Sequence, residues 1–298
     1  MKNARNDPEF RKIILAAFPT LPAKASLCLM AFLLMLLFQL PFARPASAQG
    51  TCDKVTVGYS YYPPFSYQSP DGGVHGASIE VAKRAFQKMD VNVELVQMPW
   101  ARLLLETQNG GVDFITAAYR TRDRLSWATY SDIPIGYERI VAIHDKTIDI
   151  DNPSLEDLRR KRGLLRRGDS HGVEVDTAIA KNQLSITEVP EIEVGLRMIT
   201  AGRADYLLTS DAVARDVLRN HDFPDLVFDR VNVAGEALYA LFSKHSNCIV
   251  LADRFNETIR SLYQDDLMPT VLVQYLKSVG SPLIFGMAED NGRNMLGN

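Results

Sequence analysis

Two aromatic segments carry side chains that could enclose a small molecule. The loop YSYYPPF, at residues 59–65, follows an extended segment, and its two prolines fix the backbone dihedral φ, which makes the loop rigid. The rings of Tyr59 and Tyr62 therefore offer flat faces to a ligand. Trp100, at the start of a helical segment, offers a third ring. For both segments, packing of the rings in the core is the competing interpretation.

Two arginine-containing segments indicate that the bound molecule is an anion. YRTRDR, at residues 119–124, follows a short buried segment. A guanidinium at the end of a strand can hold a carboxylate through two parallel, charge-assisted hydrogen bonds. A solvated run of surface charge is the competing interpretation. RRGDS, at residues 166–170, is predicted to be a strand-to-helix turn, where exposed N–H groups attract anions.

Neither a catalytic motif nor a cofactor motif occurs in the sequence. It contains no G-x-S-x-G, H-E-x-x-H, P-loop or C-x-x-C pattern, and its five histidines include no i,i+4 pair. The chain has 298 residues, of which 46% are hydrophobic, and a net charge of −3. This length allows one large or two small domains, and the acidic balance is unlike that of a nucleic-acid-binding protein. We therefore expect no metal, no cofactor and no nucleic-acid partner.

The first 48 residues are predicted to be a cleaved secretory signal peptide. An uncharged apolar run at residues 27–38 follows five basic residues and precedes the small-residue exit Ala46-Ser47-Ala48. A membrane-spanning helix needs about 20 apolar residues, and this run is shorter. A signal peptide is therefore the preferred interpretation, and an uncleaved membrane anchor is the alternative. Residues 1–48 hold six basic and two acidic side chains, which leaves a net charge of −7 on the remainder. We expect this remainder to be periplasmic, monomeric and not embedded in a membrane.

Two similar series of strand and helix patterns follow the predicted signal peptide. The first runs strand, helix, strand, helix, strand at residues 54–59, 77–89, 91–96, 100–108 and 112–117. The second has the same order at residues 163–166, 173–181, 184–189, 192–200 and 205–209. Each series ends its second helix with a glycine that precedes an aspartate and two apolar residues, at Asp113 and Asp205.

This repetition predicts an α/β fold of two similar lobes with mostly parallel sheets, joined by a two-strand hinge. Extended segments at 139–143 and 237–242 bracket the second lobe and provide the two crossings, and helices at 248–263 and 269–279 follow them. The predicted boundaries are 49–140 and 239–280 for lobe 1, 141–238 for lobe 2 and 281–298 for a flexible tail.

Two cysteines, Cys52 and Cys248, remain after removal of the signal peptide. Export places them in an oxidising compartment, where disulfides persist. The sequence does not give the distance between them, so a disulfide and two unpaired thiols both stay open.

Taken together, these residues resemble the bacterial extracellular solute-binding proteins of family 3, which are type II periplasmic binding proteins. The resemblance covers about residues 52–280. It rests on the order and spacing of seven segments: 62–65 (YPPF), 76–82 (GASIEVA), Trp100, 111–113 (GVD), 121–124 (TRDR), 131–134 (SDIP) and 202–205 (GRAD).

The resemblance implies a periplasmic protein that closes around a polar amino acid or related carboxylate and delivers it to an ABC transporter permease. Arg124 matches the arginine of the family's Thr-x-Glu-Arg motif and would hold the ligand carboxylate, with Tyr62 and Trp100 as ring walls. Asp169 and Ser170 fall on the second-lobe turn, which donates N–H and hydroxyl groups to the ligand. The other positions assigned to the ligand site are Tyr59, Ala117, Tyr119 and Ser210.

The chain departs from the family pattern where amino-acid binders hold the ligand ammonium. Ser210 stands in place of the usual aspartate, so the resemblance supports a small carboxylate-bearing solute more than an α-amino acid. Two alternatives stay open. One is a periplasmic enzyme similar to cyclohexadienyl dehydratase, in which Glu80 or Asp169 is the acid or base. The other is a ligand-sensing input to a membrane signalling partner.

Overall fold

A computed structural model describes residues 52–69, 71–233 and 236–264. The strands are β1 (Lys54–Tyr59), β2 (Tyr67–Gln68), β3 (Val74–His75), β4 (Asn92–Gln97), β5 (Phe114–Tyr119), β6 (Ala128–Tyr130), β7 (Gly136–Glu138), β8 (Ile140–Asp145), β9 (Arg162–Arg166), β10 (Ser185–Val189), β11 (Tyr206–Ser210), β12 (Leu226–Arg230) and β13 (Glu236–Ser243). The helices are α1 (Ala77–Lys88), α2 (Trp100–Gln108), α3 (Arg122–Leu125), α4 (Leu155–Leu158), α5 (Val173–Ala180), α6 (Ile192–Thr200), α7 (Asp211–Asn220) and α8 (Ala252–Gln264), with a 3₁₀ helix at Asn247–Leu251.

Several predicted segments fall outside the described residues: the signal peptide, the helix at 269–279 and the tail at 281–298. Within the described part of the chain, no helix has the length and apolar character needed to cross a membrane.

Two sheets of similar topology confirm the predicted two-lobe α/β fold. The first has the order β4-β1-β5-β13-β6, and the second has the order β10-β9-β11-β8-β12. In each sheet three strands are parallel, with the earliest in the middle, and the next strand is antiparallel to them. Helices join the parallel strands because a parallel connection needs a crossover.

The chain passes between the sheets at two adjacent crossings. β7 pairs antiparallel with β13 in the first sheet, and the chain enters the second sheet at Ile140, two residues after Glu138. The return crossing ends at Glu236, whose Cα is in register with that of Glu138. The first-sheet strand β13 therefore already includes residues 236–238, which the sequence prediction assigned to lobe 2.

Each lobe uses the repeated aspartate in the same way. Asp113 comes just before β5, and its Oδ2 accepts a hydrogen bond of 2.7 Å from the Thr56 N–H on β1. Asp205 comes just before β11, and its Oδ2 accepts one of 2.6 Å from the Arg162 N–H on β9. Because charge-assisted bonds to backbone N–H groups are strong, each aspartate fixes the register between its two parallel strands.

In the first lobe, residues that precede the second lobe in the chain pack against residues that follow it. Four phenylalanines form a buried cluster of edge-to-face and tilted rings: Phe86, Phe114, Phe242 and Phe255. The last two come from β13 and α8, which follow the second lobe. A disulfide joins Cys52 to Cys248, with Cα atoms 5.2 Å apart, and closes a separation of 196 residues.

Some elements differ from the sequence prediction. The predicted helix at 248–263 is a 3₁₀ turn followed by α8, and Ser246 caps the turn by accepting from the Cys248 N–H. The helix α7 was not predicted, although Ser210 caps it and its buried residues Val213, Ala214 and Val217 have helical spacing. The short strands β6 and β7 were not predicted either, because three residues are too few to show an alternating pattern.

Gly76→Ala is expected to lower the free energy of unfolding by about 3 kcal/mol or more. Gly76 precedes α1 with φ of +132°, and an added Cβ would lie 2.0 Å from the carbonyl oxygen of Phe65. Gly202→Ala is the control, because Gly202 has φ of +67° and an added Cβ meets nothing within 4 Å. The control should lose only about 1 kcal/mol. Urea unfolding measures both, and equal losses would contradict the proposed steric role of Gly76.

Candidate ligand-binding site

The carboxyl ends of the parallel strands of both sheets border one cavity between the lobes. This placement is the usual one for ligand sites in open α/β sheets. The cavity encloses about 520 Å³ of space not filled by atoms, including the part open to solvent. Among its described lining residues are all nine that the sequence assigned to the ligand site: Tyr59, Tyr62, Trp100, Ala117, Tyr119, Arg124, Asp169, Ser170 and Ser210.

Arg124 is buried and directed into the cavity. The short helix α3 carries it, and the Thr121 hydroxyl caps this helix by accepting from the Arg124 N–H. Its Nη1 donates to the Tyr119 carbonyl at 3.0 Å, and its Nη2 donates to the Gly168 carbonyl at 2.9 Å. These neutral acceptors occupy two of the five N–H donors of a guanidinium. The orientation of Arg124 is thus fixed without neutralisation of its charge.

Gly168 brings the second lobe against the first. Its carbonyl oxygen accepts a second hydrogen bond, of 2.9 Å, from Nε1 of Trp100. An added Cβ at Gly168 would lie 3.1 Å from Leu104 and 3.6 Å from Ala101, so the turn that contains it packs closely on α2. The Trp100 ring in turn lies 5.4 Å from the Arg124 guanidinium carbon, within the range of a cation–π contact.

A second buried guanidinium, that of Arg166, also faces the cavity. Its carbon lies 5.9 Å from the Tyr62 ring and 6.0 Å from the Trp100 ring, so both predicted ring walls face this side chain. Arg166 forms an ion pair with Asp169, with Nη2 and Oδ1 2.9 Å apart. The sequence analysis noted the RRGDS turn but did not assign Arg166 to the site.

The second-lobe turn uses donor groups that the resemblance assigned to the ligand. The Asp169 N–H donates to the Arg166 carbonyl at 3.0 Å, and the Ser170 hydroxyl donates to Oδ2 of Asp176. In this structure, therefore, the Asp169 N–H and the Ser170 hydroxyl are engaged within the second lobe. The physical reason is that Asp176, in the first turn of α5, holds the turn by also accepting from the His171 N–H.

A buried carboxylate, Glu138, faces the cavity from the end of β7. The Tyr119 hydroxyl donates to its Oε2 at 2.7 Å, while Oε1 has no hydrogen-bond partner among the described residues. Burial raises the pKa of Glu138, and the nearby hydroxyls of Tyr62, Tyr119 and Ser210 offset part of this shift. Burial likewise raises the pKa of Tyr119 and Tyr62 well above the ordinary value.

His171, on the second-lobe side of the cavity, is also buried. Burial lowers the pKa of its imidazole, which favours the neutral form, and its Nε2 has no hydrogen-bond partner among the described residues. Neither His171 nor Glu138 was assigned to the site from sequence. Glu138 follows the SDIP segment without any motif of its own, so no local signal could have identified it.

The model of the family called bacterial extracellular solute-binding proteins, family 3, matches residues 55–278. The chain belongs to this family. Its predicted membership and its role as a solute-binding protein are thereby confirmed. A similar protein of Haemophilus influenzae, named "Probable amino-acid ABC transporter-binding protein", is 22% identical over 217 residues, which are 72% of this chain and 80% of the relative.

Two solved structures show the same fold as this family-3 protein. An ancestral arginine-binding protein bound to arginine superposes with a TM-score of 0.64 and 20% identity, covering 75% of this chain and 98% of the other. A histidine kinase sensor domain described as similar to periplasmic binding proteins superposes with a TM-score of 0.65 and 18% identity, covering 75% and 96%. At identities of 20% and 18%, these superpositions are evidence for a shared fold.

Asp169→Asn is expected to lower the free energy of unfolding of this solute-binding protein by about 3 kcal/mol, because it leaves the buried Arg166 charge unpaired. Glu188→Gln is the matched control. It removes the partner of Arg167 from an ion pair of 3.6 Å in which both side chains are more than half exposed, and it should change the free energy by less than about 1 kcal/mol. A loss in Asp169→Asn no larger than in the control, by urea unfolding, would be inconsistent with a stabilising role for the pair.

Proposed function

We propose that this protein captures a small carboxylate-bearing solute between its lobes in the periplasm and delivers it to an ABC importer. Arg124 is the carboxylate anchor in this proposal. Its guanidinium is buried, lines the cavity, donates to two backbone carbonyl groups and lies beside an aromatic ring. A bidentate carboxylate would supply the negative charge that these neutral partners do not.

Closure of the lobes is the second part of the proposal. Several hydrogen bonds cross the cleft near the anchor, among them the Trp100 N–H to the Gly168 carbonyl, Arg166 to the Tyr61 carbonyl at 3.4 Å, and the Tyr61 hydroxyl to Asp216 at 2.6 Å. Arg124 itself reaches the Gly168 carbonyl. A ligand at Arg124 would therefore touch both lobes and favour the closed arrangement by its differential affinity.

The family and the name of the Haemophilus influenzae relative support transport as the outcome of binding. In this proposal, the predicted signal peptide exports the chain, and the closed form docks on a membrane permease. The sensing alternative differs only in the docking partner. Deletion of the gene should abolish uptake of the solute in the transport case and leave uptake intact in the sensing case.

Binding is preferred to catalysis because the two acids considered for catalysis are committed elsewhere. Glu80 lies on α1, 3.6 Å from Lys83, and is not among the lining residues of the cavity. Asp169 is paired with Arg166. The relative is also named as a binding protein. Incubation of the protein with any bound solute should therefore return the solute unchanged, as judged by mass spectrometry.

Arg124→Gln is expected to weaken solute binding about 100-fold or more, because two charge-assisted hydrogen bonds contribute about 1.5–3 kcal/mol each. The probes are the twenty common L-amino acids and a series of short mono- and dicarboxylates. Thermal shift identifies the solutes that bind, and isothermal titration calorimetry gives their affinities for both proteins.

The matched control is Arg122→Gln, which makes the same change two residues away on an exposed position of the same short helix. It should bind as the unchanged protein does. The proposal fails if no carboxylate stabilises the unchanged protein, since about 2.7 kcal/mol is expected at 100 times the Kd. It also fails if both variants lose affinity equally.

A further inference from the structure

Five lining residues of the cavity, other than tyrosines, have ionisable side chains: Arg124, Glu138, Arg166, Asp169 and His171. Arg166 and Asp169 neutralise each other through their ion pair. Burial lowers the pKa of His171 and so favours its neutral form. Arg124 and Glu138 remain, and neither has an oppositely charged side chain as a hydrogen-bond partner within the described part of the chain. The cavity therefore offers one uncompensated cation and one uncompensated carboxyl group.

We infer that Glu138, on the hinge strand β7, is the side chain by which this site distinguishes solutes with a protonated nitrogen from solutes without one. The inference rests on the proposed function, since it takes Arg124 as the carboxylate anchor. A solute with only a carboxylate would place its negative charge in the same confined cavity as the Glu138 carboxyl group and would offer Glu138 no cationic partner. A solute with both groups matches both ends of the site.

The free oxygen of Glu138 supports this role. Glu138 is 5% exposed, its Oε2 is held by the Tyr119 hydroxyl, and its Oε1 makes no hydrogen bond in the described structure. The hydroxyls of Tyr62 and Ser210 lie near Glu138 but make no hydrogen bond to Oε1, so this oxygen on the cavity wall can accept from a donor group of the solute. An ammonium or guanidinium group would supply donors as well as the opposite charge.

The connection between Glu138 and Arg124 runs through a single residue. The Tyr119 hydroxyl donates to Glu138, and the Tyr119 carbonyl accepts from Arg124. Because both charged groups are bonded to Tyr119, they are fixed relative to each other and can select the spacing of charges in a solute. The hydroxyl of Ser210, which stands in place of the family's usual ammonium-binding aspartate, lies close enough to interact with Glu138.

The test compares pairs of solutes that differ only in the nitrogen. The probes are L-alanine with propanoate, 4-aminobutanoate with butanoate, and both 5-aminopentanoate and 5-guanidinopentanoate with pentanoate, each measured by isothermal titration calorimetry. The unchanged protein should bind the nitrogen-bearing member of at least one pair 10-fold or more tighter. Glu138→Gln should reduce this preference to less than about 3-fold without weakening the binding of the acid that lacks the nitrogen.

Glu236→Gln is the matched control, because Glu236 is the residue opposite Glu138 in the pairing of β7 with β13. Its carboxylate accepts from the Val173 N–H at the start of α5 and does not line the cavity. The preference should persist in this variant, and circular dichroism checks the fold of both variants.

Two outcomes separate this inference from the proposed function. If carboxylates bind and depend on Arg124, but the nitrogen gives no preference or the preference survives in Glu138→Gln, the role of Glu138 is wrong and the carboxylate anchor stands. If no carboxylate binds the unchanged protein, the proposed function is wrong, and the inference falls with it.

Discussion

A guanidinium removed from water must be stabilised by its surroundings, and the surroundings of Arg124 are made of dipoles. Two backbone carbonyls accept its hydrogen bonds, and the ring of Trp100 lies beside it. Such groups orient the cation but do not neutralise it, so the site retains affinity for an anion. Since one of the carbonyls belongs to Gly168 in the second lobe, the group proposed to bind the solute also joins the two lobes.

The topology of the two sheets determines where this cation can lie. In each lobe the parallel strands are held in register by an aspartate at their amino ends, Asp113 in one lobe and Asp205 in the other. The opposite, carboxyl ends of the strands are therefore free to carry loops. The chain crosses between the lobes beside these ends, at β7 and β13, so a residue on the hinge can face the same cavity as residues of both lobes.

The local elements were largely predictable because their patterns extend over several residues. The strand β1 and the helices α2 and α6 have the predicted limits. The nine residues that the family resemblance assigned to the site line one cavity, at the edge of each sheet where the parallel strands end. The short strands β6 and β7 had no such pattern, and for that reason the position of Glu138 on the cavity wall was not predicted.

The sequence by itself determined the α/β class and the duplication of the lobe, because these depend on periodicity and on motifs within short segments. The family resemblance predicted that Arg124, Tyr62 and Trp100 share one site, and all three line the cavity. Only the tertiary structure decided which groups are paired. It paired Arg166 with Asp169, engaged the Asp169 N–H and the Ser170 hydroxyl within the second lobe, and placed Glu138 beside Tyr119. It also joined Cys52 to Cys248. The reason is physical: the burial of a group and the identity of its partner depend on residues brought near by folding, often from distant parts of the chain.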